Sequence, residues 1–189
     1  MSELSLSLLH TTAERPALAV LMVCLLVASV TDLQRRRIPN WLTGPGILVG
    51  LTLHAALSGG MGLLSCLLSL GVWFALGFGF YVMVRGIGAG DIKLILVCAT
   101  LVGFLPTLMV ATLSFALQVA WLLARWIVLG VAVANLRALG QWLWVLMTPH
   151  TAKLAFTPVG TPDKSPHAPF LFLAALLIFG AYWGGYVQP

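Results

Sequence analysis

An all-α membrane helix bundle is the fold class this sequence predicts, and three observations predict it. Charged residues make up 8% of the chain and hydrophobic ones 60%, against about 25% and about 45–50% in soluble domains. Mean hydropathy is +1.03. The apolar residues gather into long runs, separated by short segments that carry glycine, proline and the few charges. At about 20 apolar residues per crossing, the 189 residues hold about six spans and no large soluble domain. A single integral-membrane domain over 1–189 is therefore expected.

The first run covers 16–33. Glu3 and Glu14 lie ahead of it, three arginines follow it, and no A-x-A cleavage site appears. It is expected to be a retained span, not a signal peptide. The second, 41–57, carries Gly44-Pro45-Gly46 near its start, which predicts an irregular first turn. Ser58-Gly59-Gly60 predicts a short turn before the third run, 61–84. That run is dotted with Gly71, Gly77 and Gly79, small residues that let membrane helices approach. Arg85–Asp91 breaks the apolar pattern. The fourth run, 92–105, is expected to end at Pro106, and the fifth covers 107–133, with Arg125 expected to snorkel toward the interface. Leu136, Leu139, Leu143 and Leu146 then recur near helical spacing, with Arg137 and Gln141 between them. This predicts an in-plane amphipathic helix over 135–147, capped by Asn135. Residues 150–169 read as a polar, proline-rich loop, and the sixth run, 168–187, closes the chain.

Six spans put both termini on one side. With the amino terminus outside, the inner segments hold Arg35, Arg36, Arg37, Arg85, Lys93, Arg137, Lys153 and Lys164, and the outer ones hold Arg15. The positive-inside rule expects such a bias, so the orientation is N-out/C-out. The net charge of +5 is thereby explained by topology and by membrane lipid as a partner. No basic stripe is interleaved with base-stacking aromatics, so nucleic acid is not expected. Cys24, Cys66 and Cys98 each sit in an apolar run without a C-x-x-C, and are expected to be buried small hydrophobes. His10, His54, His150 and His167 lack ligand spacing, so no metal site is expected. His54 reads as an interhelical hydrogen-bonding group, His150 and His167 as loop residues. Trp41, Trp73, Trp121, Trp126, Trp142, Trp144 and Trp183 read as membrane-interface anchors.

The chain has five acidic residues. Glu3 and Glu14 lie in the amino-terminal tail and Asp163 in the proline-rich loop, where solvation accounts for them. Asp32 and Asp91 lie at ends of spanning runs, where carboxylates are expensive and are functional candidates. The topology places both at the cytoplasmic face. Two carboxyls at close range resist ionising together. The ionised one can take a proton from water while the protonated one polarises a carbonyl, which is aspartic-protease chemistry and needs no metal or cofactor. The dipole at the start of a helix favours an anion at Asp91, and Lys93 is nearby. Arg35 and Arg36 favour one at Asp32. The assignment of roles stays open. Gly86, Gly88 and Gly90 permit close backbone approach, so an extended peptide can lie beside the Asp91 carboxyl. Two other readings use the same residues. A small proton- or cation-coupled transporter needs a path across the bilayer, which two carboxyls at one face do not provide. A non-catalytic assembly factor would tolerate Asn at both positions.

Gly88-Ala89-Gly90-Asp91 matches the GxGD signature of membrane aspartyl proteases, and Asp91-Ile92-Lys93 extends it to GxGDxK. Asp32, with Arg35-Arg36-Arg37-Ile38-Pro39-Asn40 behind it, is similar to a first catalytic aspartate followed by an R-x-I-P-N segment. Over roughly Val30–Val102 the chain thus resembles the type IV prepilin peptidases. The resemblance implies an aspartic-type endopeptidase of the bacterial inner membrane, multi-pass, that cleaves the leader from prepilins or pseudopilins at the cytoplasmic face. Asp32 and Asp91 would be its dyad, Gly88 and Gly90 would shape the active-site loop, and Lys93 would be accessory. Pilus or secretion assembly components are implied neighbours. Large members also carry a zinc-binding cysteine domain and methylate the new amino terminus. This chain resembles instead the compact peptidases of Flp-type pili and tight-adherence systems. GxGD enzymes of the signal-peptide type pair the motif with Tyr-Asp, whereas Thr31 precedes Asp32 here.

Overall fold

The computed structural model describes residues 14–83, 88–147 and 166–183. Among them every regular element is a helix: α1 (Glu14–Arg35), α2 (Asn40–Met83), α3 (Ala89–Val102), α4 (Phe104–Val128), α5 (Ala132–Met147) and α6 (Ala168–Trp183). Lipid offers no water to backbone N–H and C=O groups, so a chain this apolar must satisfy them within helices. The segments Pro16–Arg35, Asn40–Gly79 and Phe104–Val128 are long and apolar enough to cross a membrane, and Ala168–Ala181 is a shorter apolar helix. The expectations placed on Arg85, Gly86, His150, Lys153, Asp163 and Lys164, and on the ends of the third and sixth runs at 84 and 184–187, lie outside the described residues.

The chain forms two compact units. The first takes in α1, α2, α3, α4 as far as Phe115, and α6; the second runs from Ala116 to Ser165.

In the first unit α2 is not one rod. Its single non-helical residue is Gly59, at φ 63° and ψ −154°. A straight helix would hold Gly50 and Cys66 about 24 Å apart. Yet a Cβ on Gly50 would lie 2.8 Å from the Thr100 backbone, and Cys66 Sγ donates to the Thr100 carbonyl at 3.3 Å. Both limbs therefore meet the same residue of α3, and the chain doubles back at Gly59, within the Ser58-Gly59-Gly60 segment where a turn is expected. The limb 40–58 runs parallel to α3, with Gly46 beside Val97 and Gly50 beside Thr100. The limb 60–83 runs antiparallel. Ser69 Oγ donates to the Ala99 carbonyl at 3.1 Å, and Gly77 abuts Ile92.

Helix α3 is accordingly the centre of the unit. Leu94 and the unbroken stretch Leu96–Leu101 are buried. Trp73, Leu96, Ala99 and Ala111 form a core with Ile47, Leu70, Ile92 and Ile95 against it. Helix α1 packs on α6, α3 and α2. It buries Leu21, Leu25 and Ala28, one helical stripe, while Val23, Leu26 and Val30 stay exposed as expected of a lipid-facing side. Helix α6 buries Leu171, Ala174 and Ala175. The three cysteines are buried and free.

Several boundaries differ from the sequence reading. Helix α2 passes through Pro45 without an irregular turn, because a proline this near a helix start removes only one intrahelical bond. Helix α3 ends at Val102, where Gly103 (φ 82°) donates back to the Ala99 carbonyl. Pro106 therefore stands in the first turn of α4 and does not end the preceding run. The first-turn N–H groups have no intrahelical partner, so a proline there loses nothing. Helix α4 stops at Val128, not Val133. Gly130 (φ 68°) donates to Ile127 and Val131 donates to Trp126, the paired bonds of a Schellman stop. Helix α5 then begins at Ala132, so Asn135 is not its cap. The Asn135 N–H bonds the Val131 carbonyl, and its side chain is fully buried. Trp73 and Trp126 are buried too, so neither is an interface anchor; Trp73 stacks at a tilt on Phe104, 5.8 Å away. Arg125 lies over the Trp121 ring at 5.3 Å. The buried His54 Nε2 has no hydrogen-bond partner among the described residues, so the interhelical bond expected of it is not made there.

Candidate active site

Asp32 lies in the last turn of α1 and is 7% exposed. Ser29, three residues earlier, shares its helix face. Both reach Ala168, the first residue of α6. Asp32 Oδ2 accepts the Ala168 N–H at 3.2 Å. Ser29 Oγ donates to the Leu25 carbonyl at 2.7 Å and lies 3.1 Å from the Ala168 carbonyl. The His167 carbonyl accepts the Phe170 and Leu171 N–H groups, so His167 caps α6. The Ala168 N–H is then one of the donors a helix start leaves unpaired. Asp32 satisfies it from another helix, at the end of the dipole that favours an anion.

His167 is itself buried, at 4% exposed, and its ring stands 4.9 Å from that of Phe115. Burial holds its pKa below 6.5, and the nearby Asp32 carboxylate pulls the other way.

Beyond α1 the chain turns through Arg36, whose φ is 50° and whose N–H closes on the Asp32 carbonyl at 2.9 Å. Ile38-Pro39-Asn40 then runs along the start of α3. A Cβ on Gly90 would lie 3.3 Å from Ile38 Cβ, and Lys93 Nζ donates to Asn40 Oδ1 at 2.8 Å. The two sequence motifs are thus in direct contact.

Gly88 precedes α3 with an extended backbone (φ −72°, ψ 134°) and no side-chain cap. Asp91 stands in the first turn, half-buried, and its N–H bonds the Gly88 carbonyl at 3.0 Å. Its carboxyl folds back over Gly88, with Oδ2 3.1 Å from where a Cβ would be. Gly86 lies outside the described residues.

The level of the two aspartates follows from the packing. A Cβ on Gly46 would lie 3.0 Å from Val97 Cγ1 and 3.7 Å from Cys24 Sγ, so Cys24 and Val97 share a level. Ile38 shares one with Gly90. The order is reversed, so α1 and α3 run antiparallel. Asp32 is eight residues past Cys24, about 12 Å along α1, and Asp91 is six residues before Val97, about 9 Å along α3. Both carboxyl-bearing turns stand at one end of the unit, with Gly88, Gly90 and Lys93. Among the described residues no three His, Cys, Asp or Glu side chains gather as metal ligands.

Compared with models of known families, the chain matches that of the type IV leader peptidases over residues 19–184. The chain belongs to the type IV leader peptidase family. No individually curated protein and no solved structure matches it. The match makes this leader peptidase a protease, and its apolar helices are those of a membrane protein. It reaches from α1 to the end of α6 and so takes in the Ala168 contact as well as the two motifs. That contact is what reading the sequence missed. His167 reads as a loop residue, yet in the leader peptidase it is buried beside Asp32. The local signals for it are slight: a serine three residues before the aspartate, and a histidine just before an apolar run. Neither names its partner, and the contact they belong to joins Asp32 and Ala168, 136 residues apart.

Proposed function

We propose that the protein is an aspartic endopeptidase that uses Asp32 and Asp91 as a dyad to cleave the leader from Flp-like prepilins or pseudopilins. The work would be done at the cytoplasmic face of the bacterial inner membrane, by one multi-pass domain with both termini outside. One observation carries the reading. The turns that bear Asp32 and Asp91 come from different helices and stand at one end of the unit, joined through Ile38–Gly90 and Lys93–Asn40. The cluster Arg35–Arg37 at that end supports its assignment to the cytoplasmic side.

The chemistry follows from two carboxyls holding one proton. The ionised carboxylate takes a proton from a water, whose oxygen attacks the scissile carbonyl carbon. The protonated carboxyl gives its proton to the carbonyl oxygen, forming a gem-diol. When the C–N bond breaks, the protonated carboxyl gives its proton to the leaving nitrogen and a gem-diol hydroxyl returns a proton to the other carboxylate, so the pair again holds one proton. Gly88 keeps a side chain away from the Asp91 carboxyl and Gly90 lets Ile38 pack close to the start of α3, so an extended peptide backbone can lie beside the carboxyl. Lys93, held by Asn40, steadies the first turn of α3.

The test is cleavage of a tagged prepilin by purified enzyme in vesicles. Asp32→Asn and Asp91→Asn keep shape while removing the acid. Each is expected to lower the rate by about 10²–10⁴-fold, the range general acid–base groups supply. A variant that processes substrate near the parental rate would remove that residue from the dyad.

A further inference from the structure

The start of α6 is built around Asp32 more closely than packing requires. Ser29 and Asp32 address the two polar groups of a single residue, the fully buried Ala168. The Ala168 N–H is the one hydrogen bond of the Asp32 carboxylate among the described residues. It occupies Oδ2 and leaves Oδ1 to face other groups. The carboxylate is thereby oriented, and whatever fixes the α6 start fixes that orientation. His167 is the residue that does so. Its carbonyl accepts the first N–H bonds of α6, its buried ring is seated against Phe115 of α4, and it immediately precedes Ala168, whose N–H the Asp32 carboxylate accepts. Burying an imidazole is costly, since its polar nitrogens leave water. A phenylalanine would fill the place beside Phe115 more cheaply if filling were all that was needed.

We propose that His167 is a positioning residue for the peptidase reaction, holding the α6 N-terminus and the Asp32 carboxylate in the orientation that presents Oδ1 to the reacting water. The inference rests on the reading of Asp32 as one of the dyad. The mechanism above makes no use of His167. Asp32 is the charged group that acts on it, from α1; Phe115 covers its ring from α4 and carries no charge.

Three variants of the full chain separate the possibilities: His167→Phe, which keeps an aromatic ring, His167→Gln, which keeps a hydrogen-bonding side chain, and Asp32→Asn. Each is assayed for prepilin cleavage in vesicles, with kcat and KM determined across pH and folding followed by thermal unfolding. His167→Phe is expected to lose about tenfold or more in kcat with KM unchanged, since a small misplacement of a reacting group has effects of this size. His167→Gln is expected to recover part of the loss and to change the acidic limb of the pH–kcat profile. Parental kcat in His167→Phe, with Asp32→Asn inactive, overturns the inference and leaves the dyad standing. Activity in Asp32→Asn overturns the dyad itself, and the inference with it. Should His167→Phe not fold, His167→Gln decides: an altered acidic limb supports the role, and a parental profile with parental kcat overturns it.

Discussion

At Gly88 the backbone is ordinary, so its lack of a side chain matters for space and not for conformation. The Asp91 carboxyl lies where a Cβ would reach, 3.1 Å from Oδ2. Gly88→Ala must push that carboxyl by a few tenths of an ångström. Cleavage is expected to fall about tenfold while the thermal midpoint stays near the parent's, because the loss is one of alignment. Gly71→Ala, with nothing within 4 Å of the added methyl, is the control and should cleave normally. The Lys93–Asn40 bond is exposed, so its net worth is modest. A double-mutant cycle with Lys93→Met and Asn40→Ala, read by thermal unfolding, is expected to give a coupling of about 0.5–1 kcal/mol. His167 adds a pH dependence of stability. Its folded-state pKa lies below the ordinary 6.5, so around these values the unfolded chain holds more protons than the folded one. The stability of the neutral form is present above pH 6.5 and is lost as pH falls through the folded value. The parent's thermal midpoint should therefore drop more between about pH 7 and pH 5 than that of His167→Gln; equal drops would count against it.

Among the elements, α2 shows how one residue divides an apolar stretch. Gly59 adopts φ 63° and ψ −154°, a region essentially reserved for glycine. Gly59→Ala is expected to destabilise the protein by about 1–3 kcal/mol. Gly60→Ala, in helical backbone with nothing within 4 Å, should be close to neutral. Gly50 makes a different demand. Its missing Cβ leaves room for the Thr100 backbone at 2.8 Å, and backbone in the centre of the unit cannot swing aside. Gly50→Ala is expected to be destabilising by about 1–3 kcal/mol as overpacking, and an unchanged unfolding midpoint would show that α2 and α3 can separate more readily than this contact implies. These elements also show where a sequence is readable. Ser58-Gly59-Gly60 between apolar runs announces a turn, since glycine pairs do little else there. Pro106 and Asn135 mislead for the opposite reason. Proline suits a helix start as well as a stop, and asparagine suits a cap as well as a buried interior. What decides both is a glycine with positive φ nearby, Gly103 and Gly130, whose conformation no composition reveals.

At the scale of the whole molecule, the motif residues were legible because membrane carboxylates are rare and their spacing is distinctive. The grip of Ser29 and Asp32 on Ala168 was not, because it is set by the docking of α1 on α6 across the length of the chain. The same packing assigns ends. In the first unit Asp32, Ile38–Asn40, Gly88–Asp91 and Ala168 share one end, and the Gly59 reversal and Gly103 lie toward the other, where Cys66 and Gly50 meet Thr100. Helix α3, 14 residues long, rises only about 21 Å, against about 30 Å of hydrocarbon. If it spans the bilayer, at least one of its ends lies below the headgroups. The proposed orientation makes this testable by side-specific thiol labelling. Cys24, Cys66 and Cys98 are buried, so the parent should react poorly with a membrane-impermeant maleimide. Gln34→Cys and Ser58→Cys both introduce exposed thiols and leave every arginine in place. Gln34→Cys should label only from the cytoplasmic side of inverted vesicles, and Ser58→Cys only from the outer side of intact cells. Labelling of both from one side would mean that the first limb of α2 does not cross, and the bundle would have to be re-threaded with the aspartates at a different depth.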